Sequence, residues 1–127
     1  MNAGRLEISR LYQRFAFGPR PGEFTAALKV GPTQTRSALL TPPAQDVGAQ
    51  SVQPPVLTDR GQRPKPHTPE LADFALGMRT QREALMLWWL DLMAKSDHGL
   101  TERMTWFWHG HWATSIQKLN YAMPMFI

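Results

Sequence analysis

The chain has 127 residues, a formal net charge of +4 and no cysteine. This length permits one ordinary domain with a sizeable core, and the lack of cysteine excludes disulfides and thiolate metal sites. The longest apolar run, Leu85 to Leu90, is too short to span a membrane, and the first residues lack the apolar core of a signal peptide, so we predict a chain without a transmembrane segment, cytoplasmic by default.

Residues 1–41 are predicted to form a short basic helical segment. Apolar side chains recur at a mostly helical spacing at Leu6, Ile8, Leu11, Tyr12 and Phe15. Gly18-Pro19 should end this first helix near Phe17, Pro21 and Gly31-Pro32 should bound a second helix, and Thr33 to Leu40 should form a third. Six basic and two acidic residues lie in this segment, but arginines spread singly along short helices usually form a solvated face, which argues against a nucleic-acid partner.

Residues 42–68 are predicted to be a Pro-rich linker or insertion without stable structure. Prolines alternate there with Gln, Ser, Gly and Asp, at Pro42, Pro43, Pro54, Pro55, Pro64 and Pro66. Each proline removes a backbone donor, and the low apolar content leaves little to bury, so the segment is predicted to be disordered.

Residues 69–127 are predicted to form a helical hairpin. Thr68-Pro69-Glu70 is typical of a helix start, with a capping hydroxyl, proline at the first helical position and an early acid. The apolar face of this long helix, interrupted by Gln81, should be buried and consists of Leu71, Phe74, Met78, Leu85, Trp88 and Leu92. Ser96 to Gly99 should break the helix before an aromatic-rich second helix, which gives an all-α fold.

The apolar surface of the long helix is wider than one face. From Leu85 to Leu90 every side chain is apolar, so apolar surface extends nearly all round the helix there. Such a helix is typical of an element enclosed by several neighbours. We therefore predict that the chain is an incomplete part of a larger helical protein.

Two segments resemble a known family. Residues 14–23 read Arg-Phe-Ala-Phe-Gly-Pro-Arg-Pro-Gly-Glu, and residues 103–115 read Arg-Met-Thr-Trp-Phe-Trp-His-Gly-His-Trp-Ala-Thr-Ser, followed by Lys118. They resemble DUF1800, a family of uncharacterised bacterial proteins, although the family usually has glycine at the position of Ala16. The resemblance implies a longer, largely helical protein of which this chain would be an N-terminal fragment truncated at its C-terminus. It implies no reaction, cofactor or catalytic residue.

His109 and His111 are the obvious pair of candidate metal ligands, because neutral imidazole binds divalent transition metals. Residues two apart on an ideal helix point about 200° away from each other, so both rings could bind one ion only if Gly110 lets the backbone leave helical geometry. Further ligands could come from the missing C-terminal part or from Asp91, Asp97, His98 and Glu102. The alternative is that His111 hydrogen-bonds inside an aromatic core while His109 caps the helix or faces solvent.

Two functional hypotheses therefore fit the sequence. The first is a helical structural or interaction module without activity of its own, which packs against the remainder of its full-length protein or against another protein chain. The second is part of a metal-dependent enzyme whose His109-x-His111 site is completed by missing C-terminal residues. We predict the first, with no catalytic residue and with a divalent transition metal at the histidine pair as the one candidate cofactor.

Overall fold

The computed structural model describes residues 3–111, and within this range it contains six α-helices and no strand. The helices are α1 (Ala3–Phe15), α2 (Glu23–Val30), α3 (Pro32–Leu40), α4 (Val47–Gln50), α5 (Pro69–Lys95) and α6 (Gly99–His111). The predictions of an all-α fold, and of a long helix followed by a second one, are confirmed. The chain's last apolar residues, Tyr121 to Ile127, and the Ala-Thr-Ser block with Lys118 lie outside the described residues.

The first three helices pack into a small core. Ile8 is 1% exposed and contributes the largest fully buried side chain of the described residues; the other buried members and their partly buried neighbours are Tyr12, Ala16, Ala27, Phe24 and Leu39. Helix α1 ends at Phe15, two residues earlier than predicted, and Gly18 then adopts a φ of 121°. Few residues other than glycine adopt that backbone conformation, so Gly18 explains where the chain can turn.

Helix α5 begins where its sequence predicts but is capped differently. Pro69 is the first helical residue, and Thr68 precedes it in an extended conformation. The Thr68 hydroxyl donates to the Lys65 carbonyl at 3.1 Å and makes no capping hydrogen bond, so the predicted hydroxyl cap is wrong. The hydroxyl is engaged by the turn that leads into the helix, and the Leu71 amide donates to the Thr68 carbonyl at 3.1 Å.

The Pro-rich segment (residues 42–68) contains α4 and is tied to α5 by polar contacts. The Thr58 amide donates to Gln81 Oε1 at 3.0 Å, and Gln81 Nε2 donates to the Thr58 carbonyl at 3.1 Å. Arg60 donates to the Asp73 carboxylate at 2.6 Å and its guanidinium lies so close to Gly77 that a Cβ there would collide with it. The division of the chain into residues 1–41, 42–68 and 69–127, with disorder in the second, stays a prediction.

Helix α5 has one buried and one exposed side. Its buried residues are Met78, Gln81 and Leu85, which confirms the predicted buried face in its central part. In the described part of the chain, no helix combines the length and the apolar character that crossing a membrane requires.

Candidate functional site at the turn between the last two helices

The turn between α5 and α6 is held by one carboxylate from the Pro-rich segment. Asp46 accepts hydrogen bonds from the Ser96 hydroxyl at 2.6 Å, from the Asp97 amide at 2.8 Å and from the His98 amide at 3.2 Å. The same carboxylate accepts from the Ala49 amide at 2.7 Å and so caps α4. Asp46 therefore joins the start of α4 to the end of the helical hairpin.

Asp97, in the turn between α5 and α6, makes a reciprocal contact with the start of α4. Its carboxylate accepts from the Gly48 amide at 2.8 Å and from the Arg20 guanidinium at 3.0 Å. Arg20 also donates to the carbonyl of Lys95, the last residue of α5, and to that of Ser96, which follows the helix. A side chain at residue 48 would collide with the Lys95 carbonyl, so glycine is required for this close approach. We call Arg20, Asp46, Ser96, Asp97 and His98 the turn cluster.

His98 is a buried member of the turn cluster with both ring nitrogens engaged. Its Nε2 lies 3.1 Å from the Leu39 carbonyl and its Nδ1 lies 2.8 Å from the Thr101 hydroxyl. A carbonyl can only accept, so the contact with Leu39 places a proton on Nε2, whereas the Thr101 hydroxyl can pair with Nδ1 as donor or as acceptor. This arrangement fits a histidine that joins α3 to the start of α6.

The electrostatics of the site follow from these contacts. Partial burial alone would raise the pKa of Asp46, but the hydrogen bonds from Asp97, Ser96, Ala49 and His98 outweigh it and lower that pKa from 3.8 to about 2. The bond from the Gly48 amide, followed by that from Arg20, lowers the pKa of Asp97. Both carboxylates are therefore ionised at neutral pH, and both are engaged by donors inside the protein.

The pKa of Glu102 is shifted in the opposite direction from the pKa values of these two aspartates. Glu102 is a buried side chain on α6, and burial raises its pKa, against a hydrogen bond from Trp89 that lowers it. The indole of Trp89 also lies with its edge to the His109 ring, at 5.1 Å between centroids. Trp89 thus links the buried carboxylate to the aromatic end of α6.

The two family-like segments of the sequence contact each other beside the turn cluster. Arg103 donates to the Ala16 carbonyl at 3.0 Å, and its guanidinium lies 5.8 Å from the centre of the Phe17 ring. Phe17 meets Trp106 edge-on, with centroids 6.4 Å apart. A Cβ at Gly99 would lie 2.9 Å from the Ala16 Cβ, so the start of α6 packs directly on the segment that follows α1.

A cleft of about 230 Å³ opens next to this contact, and its lining includes Tyr12, Phe17, Arg20, Glu23, Met93 and Asp97. The charged side chains of this cleft have hydrogen-bond partners within the protein. Arg20 pairs with Asp97, and the Glu23 carboxylate accepts from the Arg20 amide at 2.7 Å. The arrangement is chemically suited to holding three helices and a turn together.

The predicted metal pair lies at the end of α6, with both histidines and Gly110 inside the helix. The His109 ring lies against Trp89, whereas the His111 ring stacks on Phe107 at 5.8 Å and meets Trp108 edge-on at 5.5 Å. Among residues 3–111, no three His, Asp or Glu side chains are grouped so that they could hold a metal ion. Metal binding by the pair stays a prediction.

The residues proposed as further metal ligands are dispersed. Asp97 and His98 belong to the turn cluster, Glu102 is a buried side chain of α6, and Asp91 lies 3.9 Å from Lys95 on the surface of α5. Asp46 was not among the residues predicted from the sequence. An available signal was an aspartate directly before Val47-Gly48-Ala49, because aspartate is favoured as a helix N-cap.

The fold and the turn cluster define an all-helical protein in which a helical hairpin is tied to a preceding group of short helices. The family model described as "Protein of unknown function (DUF1800)" matches residues 10–126, and the chain belongs to that family. The matched range includes the turn cluster and both family-like segments, so the resemblance stated from the sequence is confirmed. Comparison with curated proteins and comparison with solved structures found no match.

Proposed function

We propose that this protein is a helical interaction module that docks on another protein surface through one face of α5. The observation that carries the proposal is the exposure of Leu76, Leu87 and Leu90, at 64%, 65% and 58%. At about 100° per residue these three leucines share one side of the helix, opposite the buried Met78, Gln81 and Leu85. We call Leu76, Leu87 and Leu90 the α5 apolar face.

Burial of the α5 apolar face against a partner would contribute favourable free energy to docking. Full burial of one leucine contributes about 1.5–3 kcal/mol, and these three are already partly covered, so about 3–5 kcal/mol is available from them together. The neighbouring Met86 is also exposed and adds to this surface. Such a contribution supports docking only together with further contacts, because association itself costs several kcal/mol.

Helix α6 supplies candidates for those further contacts. Four of its large apolar side chains are more than two fifths exposed, namely Met104, Trp106, Phe107 and Trp108. Tryptophan, phenylalanine and methionine are enriched in the centres of protein interfaces. This composition favours a protein surface as the partner.

The charges on α5 indicate what kind of surface would fit. Arg79 pairs with Glu83 at 2.8 Å, and Lys95 lies 3.9 Å from Asp91. These pairs neutralise each other on the exposed surface of the helix, so a strongly charged partner would gain little there. We propose that the partner presents an apolar helix, from the remainder of a full-length protein or from another chain, and that the module has no catalytic activity of its own.

Site-specific photocrosslinking tests this proposal. A photoreactive phenylalanine analogue at residue 87, introduced into the protein in cells, should crosslink to an apolar helical peptide, which mass spectrometry would identify. The same analogue at Ser37, exposed on α3, is the matched control. Leu90→Lys should abolish the crosslink from residue 87, with folding checked by circular dichroism. Equal crosslinking from residues 37 and 87, or none from 87, would overturn the proposal.

A further inference from the structure

A groove of about 310 Å³ lies on a different side of α5 from the apolar face. Leu71, Phe74, Ala75 and Met78 line it with apolar surface, and Arg63 and Arg82 are its two charged lining residues. This volume is at the lower end of what small-molecule sites occupy, and apolar walls with a few polar groups are typical of such sites.

The Pro-rich segment is fixed to α5 just before it reaches the groove. Thr58 is paired with Gln81, and Arg60 is paired with Asp73 at 2.6 Å. The Gly61 amide donates to the Asp59 carboxylate at 2.9 Å, which orders the chain two residues before Arg63. Arg63 is therefore carried to the groove by an anchored stretch of backbone.

In the described part of the chain the two arginines of the groove have no carboxylate partner, unlike three of the other arginines. Arg20, Arg60 and Arg79 each pair with a carboxylate. Within residues 3–111, neither Arg63 nor Arg82 forms an ion pair with one. The groove thus combines an apolar lining with two positive charges, and the complementary ligand is an anion with an apolar body. A guanidinium binds a planar carboxylate particularly well, because its N–H groups match both oxygens.

We propose that this groove binds a small carboxylate with an unbranched apolar chain. At roughly 30 Å³ for each non-hydrogen group, its volume accommodates about ten of them, which is most of a medium-chain fatty acid such as decanoate. The carboxylate is bound by Arg63 and Arg82, and the chain packs on Phe74 and Met78. This activity goes beyond the proposed docking function and uses another side of α5, so either proposal can fail without the other.

Titration calorimetry on the full 127-residue chain provides the test, with sodium decanoate kept below the concentration at which it forms micelles. Decanoate should bind saturably, and amide NMR signals of Leu71, Ala75 and Met78 should shift with the same affinity. Decanol, which has the chain without the charge, should bind at least about tenfold more weakly, because a hydrogen bond to a charged group contributes more than 1.4 kcal/mol. Acetate, which has the charge without the chain, should not bind detectably.

Variants assign the binding to the groove. Arg82→Ala and Arg63→Ala should each weaken decanoate binding about tenfold, and Ala75→Trp should block it by filling the groove. Arg79→Ala, which removes an exposed arginine of the same helix, is the matched control and should leave the affinity unchanged. Absence of saturable binding, equal binding of decanol and decanoate, or an equal effect of Arg79→Ala would overturn the proposal. Circular dichroism establishes whether each variant is folded. If Arg82→Ala does not fold, Arg63→Ala still tests whether an arginine of the groove binds the carboxylate.

Discussion

Replacing Asp46 with alanine removes a carboxylate that accepts hydrogen bonds from Ala49, Ser96, Asp97 and His98. A single hydrogen bond to a charged group contributes about 1.5–3 kcal/mol, but Asp46 is only partly buried and water can replace some of the lost bonds. Loss of the helix cap alone costs about 1 kcal/mol. We therefore expect Asp46→Ala to lower the free energy of unfolding by about 2–3 kcal/mol, which corresponds to a decrease in Tm of about 10 °C for a chain of this length.

Urea denaturation followed by tryptophan fluorescence and circular dichroism measures this loss. Asp91→Asn is the matched control, because Asp91 is an exposed acid on α5 whose nearest cation, Lys95, lies 3.9 Å away. The control should change the free energy of unfolding by less than about 0.5 kcal/mol, as is usual for exposed ion pairs. A cost for Asp46→Ala no larger than that of the control would refute the role assigned to the carboxylate.

The same variant tests the acid sensitivity of the turn cluster. The pKa of Asp46 is lowered in the folded state from 3.8 to about 2, so its stabilising contribution is complete above pH 4 and is lost as pH falls toward 2. This lowering of the Asp46 pKa corresponds to at most about 2.5 kcal/mol of stability, and solvent screening at this partly exposed position reduces it to about 1 kcal/mol. The stability difference between the wild type and Asp46→Ala should therefore shrink between pH 4 and pH 2, and parallel pH profiles would contradict this.

Three further predictions concern packing, the Pro-rich segment and the histidines. Gly99→Val should cost about 2 kcal/mol of stability in urea denaturation, because the new side chain meets Ala16, 2.9 Å from the position of a Cβ. Gln81→Ala removes both hydrogen bonds to the backbone of the Pro-rich segment and should cost about 1–2 kcal/mol, with faster amide hydrogen exchange in that segment. If His109 and His111 bind a metal, mass spectrometry of protein purified without chelator should find it at stoichiometric levels and find it lost in a folded double alanine variant; no metal in either would leave both as packing residues.

Helix positions were largely predictable because their signals are local. Proline at the first helical position, as at Pro69, and glycine followed by proline, as at Gly18, act through the backbone of the residues beside them. The spacing of Met78 and Leu85 likewise predicted which side of α5 is buried, because helical periodicity places such residues on one face. The hydroxyl of Thr68 is an exception: it bonds the Lys65 carbonyl and not the predicted helix amide, since a hydroxyl can donate to a carbonyl as well as accept from an amide.

The turn cluster was not predictable from the same information. Ser96 and Asp46 are 50 positions apart, and Arg103 and Ala16 are 87 apart. No periodicity links such residues, and aspartate and arginine are ordinary surface residues in the local sequence. In the sequence, Gln81 interrupts an apolar stripe. In the structure, its side-chain amide accepts from the Thr58 amide and donates to the Thr58 carbonyl.

The sequence by itself determined five of the six helices of the described residues, their order, the buried side of α5 and membership of the family, because these depend on interactions within a few residues or on the identity of short motifs. Only the tertiary structure decided which helices meet, which carboxylate holds the turn, and which apolar side chains stay exposed. The physical reason is that hydrogen bonds and packing between distant segments depend on the path of the whole chain. The sequence offers each side chain several chemically similar partners, and only the folded backbone brings one of them within reach.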